Sequence, residues 1–385
     1  MTHREHFFAI LEGKKPEAMP FFPDITDWYT SQRTPRGEEK KFGAAEFIPD
    51  KDPYHKNPGT MPAPYRDFTL SDFYRKFDWG FPVHICDWFD IEYSGGVERR
   101  TERVGRERIV TLETPKGEVR HVDWLAADGT WAPHEHYVKE MKDLEVMRIV
   151  VENTHFIPRY DRVKAIMSEM GEQGMGDIVI FRSPFGKLVH QYMGFEQVIY
   201  ALFDDASNII DFMKLQEKKD MELVHLAAKA PERLIIISDH ADENLISPKQ
   251  YEDYCIPFYQ KACAILHEAG KFVSTHLDGN FKGFFPILHK TGFDLLDGCT
   301  PGPMFNYELE DLARAMPEAM KAFCGVPSSL FCQKLPMEKI LAFGDRIRRA
   351  FKGRGILNVG DILPPDGDIE QVIALGTHVR AHPVA

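Results

Sequence analysis

Cysteine is scarce, with six residues in a chain of 385. Such spacing cannot support a disulfide scaffold, and reduced thiols are expected. No run of about 18 apolar residues occurs, so no membrane-spanning helix is expected. The opening stretch, Met1 to Phe8, lacks the long apolar core of a secretory signal, and a cytoplasmic location is the expectation. Positive charge is also short. Lys and Arg total 47 against 59 Asp and Glu, for a net charge of −12. An acidic chain repels polyanions, which excludes general binding to nucleic acid or to an anionic membrane. No Gly-rich nucleotide loop follows a strand, which weighs against a doubly wound sheet. Tryptophan is missing after residue 131; all five (Trp28, Trp79, Trp88, Trp124, Trp131) lie in the front third.

What is present is ordinary globular composition with an uneven layout. Residues 20–95 mix prolines, aromatics and charges irregularly and read as long excursions. Residues 3–12 predict an amphipathic helix with Phe7, Ile10 and Leu11 on one face. Met19 to Phe22 predicts a strand. Ile109 to Thr114 and Glu118 to Val122, joined by Pro-Lys-Gly, predict a hairpin within a β-insert of two or three strands. From residue 158 onward short apolar strands alternate with helices: strands begin near Asp177, Arg233, Lys271, Phe293, Met320 and Gly355, and helices fill the intervals. A further strand is hidden around Phe81 to Cys86. Alternation of this kind means a parallel sheet with helices outside it, and the strand total suits a (β/α)8 barrel. The expected fold is therefore α/β, a distorted (β/α)8 TIM barrel with an N-terminal extension and a small β-hairpin insert. Residues 1–135 would hold the extension, first barrel strand and insert. Residues 136–385 would form the main barrel body, all within one compact domain.

In a barrel, chemistry gathers where strands run out at the C-terminal face. Those positions carry Asp239, His240 and Asp242, then His276 and Asp278, then Asp297, and finally Asp361. Each aspartate would equally suit a helix N-cap, so their coincidence carries more than any single one. His276 and Asp278 are two apart, which on an extended chain turns both toward one site. With Asp361 they offer a nitrogen and oxygen donor set for zinc or a similar ion. Without metal they suit a general acid and its orienting partner. Cys86, Cys255 and Cys263 read as small buried hydrophobes. Cys299, Cys324 and Cys332 match no compact thiolate motif.

The segment Arg4-Glu-His-Phe-Phe-Ala-Ile-Leu-Glu-Gly-Lys-Lys-Pro, followed by Met19-Pro-Phe-Phe, resembles the start of the uroporphyrinogen decarboxylase superfamily. So do residues 246–259, Val273-Ser-Thr-His-Leu-Asp-Gly-Asn, and residues 356–366. The resemblance spans nearly the whole chain and is strongest beyond residue 230. It implies a barrel with its site at the strand C-termini. Tetrapyrrole decarboxylases of the family grip substrate carboxylates with arginines near the N-terminus. Here the corresponding loop, Pro23 to Gln32, has no paired arginines and two acids. In the other branch, cobalamin-dependent methyltransferases, members that act on thiols hold zinc through a His-x-Cys pair and a later Cys. This chain places Asp278 and Asp361 where those cysteines stand, a harder donor set suited to an oxygen-containing substrate.

The resemblance implies the methyltransferase I component of an aryl O-demethylase. It would cleave a small aromatic methyl ether and pass the methyl to Co(I) of a separate corrinoid protein, since no Asp-x-His-x-x-Gly cobalamin module is present. His276, Asp278 and Asp239 are the expected catalytic residues. Asp24, Trp28, Tyr29, Trp88 and Trp131 would hold the substrate, and His276, Asp278 and Asp361 the zinc. A homodimer is an expected assembly. Two other readings stay open: a decarboxylase of a small aromatic or tetrapyrrole acid, and a non-catalytic partner of a corrinoid protein. The aromatic residues of the front third would equally serve core packing.

Overall fold

A computed structural model describes residues 1–40, 52 and 54–383. Part of the expected front excursion, residues 41–51 and 53, lies outside them. The chain opens with the helix His3–Leu11, capped by Thr2 and Glu5 in a reciprocal box. Its Phe7, Phe8, Ile10 and Leu11 are buried with Met175, Leu234, Leu295, Phe323 and Ile356, side chains near the starts of five strands. Each such buried side chain contributes about 1.5–3 kcal/mol. This helix therefore stoppers the N-terminal end of the sheet and leaves the opposite end for a site.

The first strand, β1 (Phe81–Ile85), is the one hidden in the proline-rich front third. The chain then makes an excursion through β2 (Phe89–Tyr93), β3 (Glu98–Val104), β4 (Glu107–Thr114), β5 (Gly117–Leu125), β6 (Trp131–Glu135) and β7 (Thr154–Pro158). Strands β3 to β6 form a four-stranded antiparallel insert, one or two more than the sequence suggested, and β2 pairs antiparallel with β7. The outer strand β3 is exposed throughout and carries two glutamates and three arginines, which discourages edge-to-edge pairing. The chain returns with β8 (Gly174–Phe181), β9 (Leu234–Ser238), β10 (Phe272–His276), β11 (Leu295–Cys299), β12 (Lys321–Gly325) and β13 (Gly355–Asn358). With β1 at one edge, these make a seven-stranded parallel sheet in the order β1-β8-β9-β10-β11-β12-β13.

The eighth strand expected at Met19 to Phe22 is reduced to one parallel bridge, Phe21 to Leu357. On that flank Phe22 N donates to Leu357 O at 2.9 Å and Leu357 N to Pro20 O at 2.8 Å. On the other flank Gly80 N donates to Phe21 O at 3.0 Å. Pro20 and Pro23 bracket the segment without N–H donors, which stops a ladder from growing in either direction. Helices fall close to the expected positions. The stretch near 195–229 runs from Phe195 to Ala228 as two helices that meet in a kink at Asp205, where the backbone is non-helical. The stretch Lys282–Lys290 is wound as a 3₁₀ helix around Pro286. No helix among the described residues is long and apolar enough to cross a membrane.

Candidate functional site

Parallel register builds the site. His84 on β1 stands opposite Asp177 on β8, and His276 on β10 opposite Asp297 on β11. Neighbours in register send side chains to the same face, so each pair meets at the C-terminal end of the sheet. His84 Nδ1 lies 2.8 Å from Asp177 Oδ2, and His276 Nδ1 donates to Asp297 Oδ2 at 3.0 Å. The loop after β9 adds His240, whose Nδ1 is 2.8 Å from Asp278 Oδ1. The His240 and His276 rings meet edge to face at 4.9 Å. The free Nε2 of His276 looks toward two carboxylates, Asp361 Oδ1 at 3.5 Å and Asp278 Oδ2 at 3.9 Å.

Electrostatics follow from this crowding. Burial pushes the His276 imidazole down, but Asp361, Asp297 and Asp278 outweigh it and raise its pKa to about 10. His84 is likewise lowered by burial and then carried up to about 10 by Asp177, Asp297 and Asp24. Burial pushes Asp361 and Asp24 upward. Burial also lifts Asp278, yet its hydrogen bond from His240 and the charge of His276 bring it below the usual carboxylate range.

These groups face a cavity of about 340 Å³. Asp24, His84, His240, His276 and Asp361 supply its polar wall, and Phe81, Val83, Val179, Phe181 and Ile236 its apolar one. His240 in its wall and Arg182, which follows β8, hold left-handed backbone with φ of 45° and 49°. Such strain costs about 1–3 kcal/mol per non-glycine residue and concentrates at functional sites.

His240, His276 and Asp278 each offer one ligand atom, all within 4.8 Å of one another. Two imidazole nitrogens and a carboxylate oxygen fit a zinc-type ion. The set that closes thus takes His240, with Asp361 standing beside His276 rather than inside the trio.

Of the remaining expected residues, the structure places all but Asp24 apart from the cavity. Asp239 is fully buried behind it. It accepts from Ser183 N at 3.1 Å and from the Tyr259 hydroxyl, so it ties the loop after β8 to the helix Ile256–Glu268. Trp28 is buried edge-on against Phe73, and Tyr29 donates its hydroxyl to Asp52 Oδ2 at 2.7 Å. Trp88 is buried with its Nε1 on Val179 O at 2.8 Å. Trp131 sits on β6 between Arg103 and Arg108. None of these four aromatic residues lines the cavity; packing has consumed them. Asp24 does line it, held by Thr26 N at 2.8 Å and Thr26 Oγ1 at 2.6 Å. Cys255 and Cys263 are buried as expected, but Cys86 follows the last residue of β1 and reaches the cavity wall. The residues that sequence reasoning passed over are His84 and Asp177. A lone histidine closing one apolar strand and an acid inside another were the available signal.

One close backbone approach delivers Asp361. A Cβ on Gly325 would fall 2.0 Å from Gly360 O and 2.2 Å from Gly360 N. Gly360 itself turns through φ +63° immediately before Asp361. Gly325→Ala is therefore expected to lower stability by about 1–3 kcal/mol and to move Asp361 off His276. Thermal melts together with turnover check this; an alanine variant as stable and active as the parent would refute it.

Comparison with known proteins agrees with this architecture. Residues 124–382 match the family described as uroporphyrinogen decarboxylase (URO-D). A methyltransferase from Methanosarcina mazei superposes with a TM-score of 0.59 at 14% identity, covering 99% of this chain and 99% of that one. At that identity the likeness concerns the fold. A B12-independent methionine synthase from Shewanella sp. W3-18-1 covers 94% of this chain and 95% of its own at 11% identity. Its TM-score of 0.44 is too low to carry an argument. No curated protein sequence matches the chain. The matched span covers most of the parallel sheet and every strand end that bears the site except that of β1, and on it the chain belongs to the uroporphyrinogen decarboxylase family.

Proposed function

We propose that the chain is the methyltransferase I of a corrinoid-dependent O-demethylase system. It takes the methyl group of a phenyl methyl ether and passes it to Co(I) of a corrinoid held by a separate protein. One observation carries the reading. His276 is fixed by Asp297 on one ring nitrogen and presents the other at the rim of a largely apolar cavity. An ether methyl is hard to remove because the leaving phenoxide is poor, and a proton delivered to the ether oxygen makes it a phenol. The raised pKa keeps His276 protonated near neutrality, and Asp278 and Asp361 stabilise that cation. Phe81, Val179, Phe181 and Ile236 exclude water from around the methoxy group. The corrinoid supplies the nucleophile, so no side chain of this protein needs to attack the methyl carbon. A zinc ion held by His240, His276 and Asp278 would supply Lewis acidity at the ether oxygen in place of the proton.

Tetrapyrrole decarboxylation fits this cavity less well. Its described walls include Asp24 and Asp361 but no lysine or arginine, and a polycarboxylate would be repelled.

The test is an anaerobic spectrum of the protein with a Co(I) corrinoid protein and a panel of methoxylated aromatics. Co(I) absorbance is expected to give way to methyl-Co(III) with release of a phenol. Zinc analysis of the same samples separates the two routes: an active parent without metal assigns the proton of His276, and metal in the parent that Asp278→Ala loses assigns the Lewis acid. No methyl transfer from any donor, with a competent carrier present, would overturn the reading.

A further inference from the structure

A second concavity lies between the antiparallel insert and the barrel mouth, with a volume of about 800 Å³. Its charge is opposite to that of the main cavity. Arg99 and Arg108 reach it from the insert, and Arg182 and His190 from the barrel side. Asp123 is the carboxylate among its described lining, and it is already engaged. Arg108 donates to it at 2.8 and 3.0 Å, and His121 Nε2 lies 2.7 Å from its other oxygen.

Arg182 is in a different position. Its Nε and Nη1 are buried without hydrogen-bond partners, as is His190 Nε2. Buried donors left unpaired are costly, and native chains keep them chiefly where something else completes them. Arg182 is also the residue held in left-handed backbone at the end of β8, and His190 lies in a π-helical turn, Leu188–Tyr192. Both are features that collect at functional sites. Burial and the neighbouring Arg182 hold His190 down to about 4, so its ring is neutral at pH 7. Asp239 and Asp278 act on the guanidinium through space but leave its Nε and Nη1 without a hydrogen bond.

The groove is not isolated. Tyr137, Gln191 and Tyr192 are shared with an aromatic-walled slot of about 240 Å³ that includes Phe89 and Phe156. Phe181 is shared between that slot and the main cavity. A cationic groove, a ring-sized aromatic slot and the His276 cluster therefore follow one another. A planar guanidinium fork matches a carboxylate in two-point contact.

We propose that the groove is a carboxylate-binding site and that the methyl donor is an aromatic carboxylate of the methoxybenzoate class. Its carboxylate rests on Arg182 and Arg99, its ring lies in the slot, and its methoxy group passes Phe181 toward His276. The identity of the donor rests on the methyl-transfer reading; the site itself does not. The acid-lined main cavity repels a carboxylate, which favours the orientation with that group in the groove.

Calorimetry with benzoate, methoxybenzene and inorganic phosphate tests the site without turnover, on the parent, Arg182→Gln and Arg99→Gln. Arg99 is exposed on the insert, so that variant is expected to fold even if Arg182→Gln does not. Benzoate is expected to bind the parent and to weaken about ten- to a hundredfold in each variant. In turnover the preference for methoxybenzoate over methoxybenzene is expected to fall by a similar factor. Benzoate binding that is absent, or equally tight in parent and variants, overturns the proposal, as does phosphate binding where benzoate does not. Arginine-dependent benzoate binding without any methyl transfer would remove the functional reading and leave the groove.

Discussion

His276→Ala is expected to lower methyl transfer by about 10²–10⁴-fold, the range a positioned general acid contributes. The protein should remain folded. The side chain is 8% exposed, and its removal takes one partner from Asp297. That carboxylate keeps the Gly298 N–H at 2.8 Å, so the cost is about 1–3 kcal/mol rather than collapse. His276→Gln sharpens the test. A glutamine can still donate to Asp297 but cannot hand over a proton, so it is expected to restore stability without restoring rate. Stopped-flow decay of Co(I) absorbance reads the rate, and circular dichroism melting reads the fold. A variant retaining a tenth or more of the parent rate would remove His276 from the reaction.

Lys187→Ala is expected to cost about 3–5 kcal/mol of folding stability. Lys187 closes the short helix Pro184–Lys187 that follows β8 and pairs with Asp220, which is fully buried in the helical stretch Phe195–Ala228 beyond its kink. Asp220 also accepts from Gln216 Nε2 at 2.8 Å, but its second oxygen has no partner. Burial already pushes this carboxyl upward, and Lys187 is the charge that opposes the push. Removing the lysine leaves a desolvated acid against one amide. The double variant Lys187→Met with Asp220→Leu removes both charges and is expected to recover most of the loss, since an apolar pair of similar volume replaces a buried ion pair at little cost. Urea midpoints of the parent, single and double variants measure both effects. A single variant as stable as the parent would show that the pair is not buried in solution.

Much of the candidate site could be read from the sequence because a parallel sheet brings the residues that end its strands to one edge, and strand ends can be located from apolar runs. His276, Asp278, Asp361 and Asp24 were found in that way or through the resemblance, and all four meet at or beside the cavity. The aromatic residues were a different case. Trp28, Tyr29 and Trp88 are buried in contacts within the protein, and composition cannot separate a ring that packs from a ring that binds.

The sequence by itself determined the alternation of buried strands and helices, the β4–β5 hairpin, the capping helix at the N-terminus and the polar residues that end each strand. These are local properties, set by periodicity and turn chemistry over a few residues. Only the tertiary structure decided which of those residues share a proton. His84 finds Asp177 across 93 residues of chain and His276 finds Asp297 across 21, each through the register of two parallel strands. It also decided that His240 joins Asp278 while its neighbour Asp239 turns inward, through one left-handed residue. Register and handedness at such joints depend on how distant segments pack, and a linear pattern carries no record of that.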